Sequence, residues 1–169
     1  VYEAPQQISV TSASQLVELA ESNLVGNYRL EADIDFTGIE PKDGAYVANQ
    51  FIGVLDGNGH KITGMRYPLF RTVLYSQVKD LVIDSPAYED DAASALAVES
   101  KNFTVENISI TNGTVYGPLV ASITGSYYEY GTNSIEVRRV EIDTVEEFLS
   151  IDDTSINLSK KYVLTQDLD

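Results

Sequence analysis

The sequence predicts an all-β fold, a right-handed parallel β-helix with a short N-terminal capping helix. Three observations point there. One apolar template recurs at Ile62-x-x-Met65-x-Tyr67, Val78-x-x-Leu81-x-Ile83, Val105-x-x-Ile108-x-Ile110 and Val137-x-x-Val140-x-Ile142. A second short apolar run follows each of the first three: Pro68-Leu69-Phe70, Ala95-Leu96-Ala97 and Pro118-Leu119-Val120. Before them, Asp56-Gly57-Asn58-Gly59 sits between two apolar stretches, and its Gly and Asn residues accept the positive φ angles of a tight corner. A strand, a bend and a second strand, with starts 16, 27 and 32 residues apart, read as stacked rungs. No rung buries its apolar face alone, so neighbours must stack. An antiparallel sandwich also uses short strands between turns, but nothing in it requires one template to recur.

The elements follow in order. Val1 to Gln7 is an irregular lead-in, and Ile8-Ser9-Val10 is a short strand. Ser12 with Gln15 forms a capping box, and Leu16, Leu19 and Ala20 at helical spacing predict a short helix to about Glu21. Gly26-Asn27 breaks the chain. Tyr28 to Phe36 then alternates apolar and polar residues with a period of two, as a half-buried strand does. A loop over Thr37 to Asn49 leads to the corner and the rungs. Irregular spacing places excursions at Ser85 to Ala93 and at Ser126 to Asn133.

A longer repeat is superimposed on the first. Val140 to Phe148 echoes Ile8 to Leu16, with Thr144 and Glu147 rebuilding the capping box. Lys161 to Asp169 echoes Asn27 to Asp35. Residues 1–139 are therefore expected to form a β-helix module with its cap helix, and residues 140–169 the start of a second, truncated copy.

Composition narrows the partners. Of 169 residues, 26 are acidic and 11 basic, giving a net charge of −15. Such a surface repels phosphate backbones and anionic lipid, so nucleic acid is not an expected partner. No run of about 18 apolar residues is present, which argues against membrane insertion. Cysteine is absent, excluding disulfides and thiol chemistry. The opening Val1-Tyr2-Glu3-Ala4-Pro5 carries neither an initiator Met nor a signal peptide, which fits a piece excised or processed from a longer chain. The composition suits an extracellular bacterial protein.

The Tyr-x-Leu-x-x-Asp-Ile-Asp strand (Tyr28 to Asp35) and the Phe51-x-Gly53-x-Leu55-Asp-Gly-Asn-Gly-His60-x-Ile62 stretch resemble the β-helical modules of bacterial surface proteins with GLUG-type repeats. The continuation through Met65 to Phe70, Val78 to Leu81, Ala95 to Ala97, Val105 to Ile108 and Gly117 to Val120 is similar to the N-terminal region of the immunoglobulin A protease family. That likeness runs from Ile8 to Asp169. It implies a non-catalytic substrate-recognition or spacer module of a secreted, cell-wall-linked zinc metalloprotease, at the bacterial cell surface, with a host glycoprotein such as immunoglobulin A as partner. The alternatives are a β-helical adhesin or structural repeat with no protease attached, and a carbohydrate-active β-helix enzyme.

Site chemistry is sparse. The family's zinc signature, His-Glu-x-x-His, needs two histidines one helical turn apart, whereas this chain holds His60 alone, followed by Lys61-Ile62. No catalytic residue, metal ligand or cofactor is therefore assigned, and His60 is read as structural. Asp33, Asp35 and Asp56 are candidates for calcium or for acid/base work if their strands adjoin. Asp also caps turns by bonding nearby backbone donors, and that is the favoured reading. Asn102, Asn107, Asn112 and Asn157 match the N-glycosylation pattern; that is read as chance, with Asn107 expected to be poorly exposed inside a rung. Tyr127, Tyr128 and Tyr130, in the second excursion, are the best ligand-binding candidates, because exposed tyrosines offer rigid amphipathic area. An uncovered end of the coil exposes strand edges, from which weak self-association is expected.

Overall fold

The computed structural model describes residues 6–22, 25–89, 92–113, 115, 118–134, 139–142, 144–149 and 161–167. The chain is a parallel β-helix. It opens with β1 (Gln7–Val10), α1 (Ala13–Ser22) and β2 (Gly26–Leu30). β1 lies parallel to β2, with Ile8 opposite Tyr28 and Val10 opposite Leu30. Ser12 caps α1 by accepting the Gln15 N–H through Oγ at 3.2 Å. The Gln15 side chain accepts the N–H of Thr11 at 2.8 Å, one residue earlier than in the usual reciprocal box. Ala13, Leu16 and Ala20 form the buried stripe of the helix.

β3 (Ile34–Asp35), β4 (Val47–Phe51), β5 (Gly53–Asp56) and β6 (Lys61–Thr63) are short sides of the next coils. β7 (Phe70–Asp84) and β8 (Ala97–Thr111) are each 15 residues long and bend around the coil without breaking. β7 therefore pairs in turn with β4, β5 and β6, always in parallel. β9 (Val120–Tyr130) follows on β8. A parallel strand's partner must come from another turn of the chain, so each pairing requires a complete circuit.

In-register stacking turns the sequence pattern into columns of like residues. Tyr28, Leu55, Val78 and Val105 form one column, and Ile34, Ile62, Ile83 and Ile110 another. Tyr28, Phe51 and Phe70 add an aromatic run, with the Phe51 and Phe70 rings 4.4 Å apart and nearly parallel. Such a pair contributes about 0.5–1.5 kcal/mol beyond its buried area. Leu69, Leu96 and Leu119, from the three short apolar runs, are all buried in the same core.

Two sequence expectations are corrected. Val78 stacks on Leu55, not on Ile62, and Ile62 stacks on Ile83. Lys61 lies five positions after Asp56, whereas their partners Lys79 and Val82 lie three positions apart. The two extra residues in the Asp-Gly-Asn-Gly corner shift the apparent template out of phase. Val137 lies outside the described residues. Val140 and Ile142 belong to β10 (Arg139–Ile142), which among the described residues pairs with β11 (Lys161–Leu164) and not with β9. The residue opposite Val105 is Glu129.

The bends have a chemical logic of their own. Tyr75, Asp80 and Ser85 in and after β7, and Asn102, Asn107 and Asn112 in and after β8, all take φ near +50° at five-residue intervals. Asn and Asp tolerate this region better than other side-chain-bearing residues. The corner side chains also tie coils together. Asn107 Nδ2 donates to Asp80 at 2.8 Å, and its Oδ1 accepts the Thr132 N–H at 3.2 Å. Asn107 is thus an exposed corner residue, contrary to expectation, because corners turn their side chains away from the core. Asn157 lies outside the described residues. The Ser85 to Ala93 excursion, described to 89 and from 92, folds back to bury Tyr88, whose hydroxyl donates to Ala95 O at 2.6 Å.

Candidate functional site

Tyr127, Tyr128 and Tyr130 do not lie in a loop. They end β9, paired with Phe103, Thr104 and Glu106 of β8. The sequence obscured this because the inward positions of β9 break the aliphatic pattern: Tyr127 and Glu129 stand where Phe103 and Val105 stand one coil earlier. Tyr suits a pleated, half-buried surface, and the pairing with β8 supplies the backbone hydrogen bonds.

The three tyrosines divide by face, since successive side chains alternate along a strand. Tyr127 points inward. Its ring packs 6.2 Å from Phe103, and its hydroxyl donates to Glu129 at 2.7 Å. Burial, and then the Glu129 carboxylate, push its phenol well above the usual range, so it stays protonated. Tyr128 and Tyr130 point outward, 52% and 53% exposed, with rings 6.1 Å apart and 21° from parallel.

These two rings end two outward columns that run the length of the sheet face. One column is Gln7, Asn27, Val54, Gln77, Thr104 and Tyr128; the other is Ser9, Arg29, Asp56, Lys79, Glu106 and Tyr130. The second alternates in charge from Arg29 to Glu106. Lys79 pairs with Asp56 at 3.2 Å, and Gln77 Nε2 donates to Glu106 at 3.3 Å. At the N-terminal end of the same columns lies a groove of ≈ 380 Å³ lined by Gln7, Asn27, Tyr28, Val54, Asp56, Gln77 and Lys79. Sequence reading missed this face because its members lie in six separate strands. Only the stacking register brings them together.

The carboxylates considered for calcium or catalysis are taken up separately. Asp33 accepts the Lys61 N–H at 3.0 Å and lies 3.1 Å from His60 Nδ1. The backbone bond and the imidazole hold its carboxyl below the usual range. Asp35 accepts from Thr37 N and Oγ1 at 2.9 and 2.7 Å, which lowers its pKa in the same way. Asp56 accepts the Asn58 N–H at 2.8 Å and pairs with Lys79. Among the described residues no three His or acidic side chains gather as metal ligands. His60 and Asp33 link the corner to the preceding coil, and Asn58 does the same by accepting from Arg29 Nη2 at 2.6 Å.

Stack, corners and aromatic-ended face together define a β-helical module of the kind built by coil repetition. Residues 3–112 match the family described as the M26 IgA1-specific metallo-endopeptidase N-terminal region, and the chain belongs to that family. It is 32% identical over 114 residues to an immunoglobulin A1 protease of Streptococcus sanguinis, covering 63% of this chain and 6% of that protein. It is also 32% identical over 133 residues to the zinc metalloprotease ZmpC of Streptococcus pneumoniae serotype 4, covering 70% of this chain and 7% of that protein. The chain thus spans less than a tenth of the length of either relative. No solved structure matches it. No helix among the described residues is long and apolar enough to cross a membrane.

Proposed function

We propose that this chain is a non-catalytic substrate-recognition and spacer module of a secreted, cell-wall-linked zinc metalloprotease. In this reading it presents a host glycoprotein such as immunoglobulin A to a catalytic domain outside these residues. The carrying observation is the Tyr128–Tyr130 pair, held half-exposed at the end of a rigid face. Rigid aromatic residues lose little entropy on binding and dominate interface energies. The kinship with an immunoglobulin A1 protease and a zinc metalloprotease supports the setting. Residues 140–169 are, in the same proposal, the start of a second copy of the module, so that spacing is achieved by repetition.

Surface plasmon resonance against immunoglobulin A tests the recognition role. The wild-type chain is expected to bind, and Tyr128→Ala/Tyr130→Ala to bind at least tenfold more weakly, with an unchanged circular dichroism spectrum. Unaltered affinity in that variant removes the tyrosines from the site. A parent reading frame lacking His-Glu-x-x-His would instead assign the face to an adhesin.

A further inference from the structure

We infer that the outward face running from the Gln7–Lys79 groove to the Tyr128–Tyr130 pair is a binding site for a neutral oligosaccharide, lying across the strands. This rests on the recognition reading above and names the part of the glycoprotein that is recognised. Three features of the face carry it.

The first is geometry. Gln77 and Lys79, then Thr104 and Glu106, then Tyr128 and Tyr130 succeed one another on three adjacent parallel strands. Adjacent strands lie about 4.8 Å apart, close to the advance of one sugar in an extended glycan. Each sugar therefore meets a fresh pair of side chains at the same height. The groove beyond Gln77 extends the track by three more strands, β5, β2 and β1.

The second is the division of chemistry along that track. The tyrosine end offers near-parallel aromatic rings, which pack against the C–H face of a pyranose. The remainder offers amide, hydroxyl and carboxylate groups, which suit a ligand dense in hydroxyls. Asp56 and Glu106 are acceptors already fixed in place by Lys79 and Gln77. Oriented polar groups of this kind bind without a further ordering cost.

The third is charge. Lys79 is matched by Asp56, and the whole chain carries −15. A sialylated or sulfated glycan would be repelled, while a neutral one avoids that cost and supplies hydroxyl donors to the carboxylates.

Isothermal titration calorimetry of the full chain tests this with linear tri- to pentasaccharides of hexose and N-acetylhexosamine, each in neutral and sialylated form. Neutral chains should bind, and their sialylated forms at least tenfold more weakly. Tyr128→Ala/Tyr130→Ala should abolish the heat of binding, and Gln77→Ala should weaken it several-fold. Tyr75→Ala, exposed at a corner off this face, should leave it unchanged. Absence of binding to every neutral saccharide, preference for the sialylated forms, or indifference to the Tyr128/Tyr130 substitutions each overturns the inference. Immunoglobulin A stripped of its glycans separates the two readings. Undiminished binding to the stripped protein sinks the glycan site and leaves protein recognition standing. Loss of binding to both intact immunoglobulin A and the saccharides removes both.

Discussion

Two strand–helix–strand units with matching registers have opposite surroundings. In the first, β1 and β2 flank α1; in the second, β10 and β11 flank α2 (Val145–Leu149). Val140 faces Tyr162 and Ile142 faces Leu164, as Ile8 faces Tyr28 and Val10 faces Leu30. Each helix is capped by a hydroxyl: Thr144 Oγ1 accepts from Glu147 N at 3.1 Å, and Glu147 answers by accepting from Thr144 N at 3.1 Å. Yet Leu16 and Leu30 are fully buried, while Phe148 and Leu164, at the corresponding places, are 52% and 56% exposed. The local code for strand, cap and helix is thus independent of burial. Burial in the first unit comes from the coil of β4 and β5 laid over it.

Deleting the covered apolar groups gives the largest expected effect. Leu16→Ala should cost about 2–5 kcal/mol in urea unfolding, the range for a large buried aliphatic residue. Phe148→Ala should fall within about 0.5 kcal/mol of wild type, as substitutions at open positions do. Equal losses at the two positions would mean that the C-terminal helix is covered after all, and the contrast would fail.

The next test concerns how the coil gets close enough to cover β2. Gly53 has φ +131°, and a Cβ there would stand 1.9 Å from Gly26 O. Backbone meets backbone at this point, so neither side yields as a flexible side chain would. Gly53→Ala should cost about 1–3 kcal/mol, the usual penalty of overpacking, and should raise amide exchange in β2 before β8. A neutral Gly53→Ala would show that the covering coil is not tightly seated.

Caps should behave alike in both units, since they act within a single turn. Ser12→Ala is expected to destabilise by about 1 kcal/mol. Thr144→Ala should destabilise α2 by a similar amount, read as faster amide exchange at Glu147. A much larger effect at Thr144 would imply a tertiary role that the first unit's cap lacks.

What was legible in the sequence follows the same division between local and long-range causes. The parallel coil, the cap helix and both capping hydroxyls could be read because each depends on a few adjacent residues. The Val78/Val105 ladder could be read because both copies keep one spacing. Its first member was misplaced by two extra corner residues, which a fixed template cannot absorb. Ser126 to Tyr130, the second half of β9, reads as an excursion in the sequence because Glu129 occupies a position that is aliphatic in the coil before it. The outward face was invisible for a different reason: Asp56, Lys79 and Glu106 are neighbours only through register, and the outward positions share no recurring residue type by which to align them. The corner asparagines stand out in the sequence for their N-x-Ser/Thr pattern, whereas their five-residue spacing is the signal of their role.

The smallest effect asks whether the polar shell, as well as the core, sets the stacked coils apart from the C-terminal unit. Asp84 at the end of β7 accepts from Asn112 at 2.7 Å and from Thr111 at 2.9 Å, and Lys61 lies 3.3 Å away. These bonds, Asn112 first, hold its carboxyl at about 2. An unfolded-chain aspartate titrates near 3.9. The stabilisation is therefore complete above about pH 4 and disappears as the pH falls through about 2, where the folded form also takes up the proton. Thermal midpoints measured between those limits should fall with decreasing pH in the wild type and less steeply in Asp84→Asn, which cannot titrate. The missing slope should correspond to at most about one proton bound on unfolding. The three partners of Asp84 come from β6, from β8 and from the corner after β8, so the acid limb reports contact between coils. If Asp84→Asn kept the full wild-type slope, the corner carboxylate would contribute nothing to stacking, and the difference between the two regions would rest on apolar burial alone.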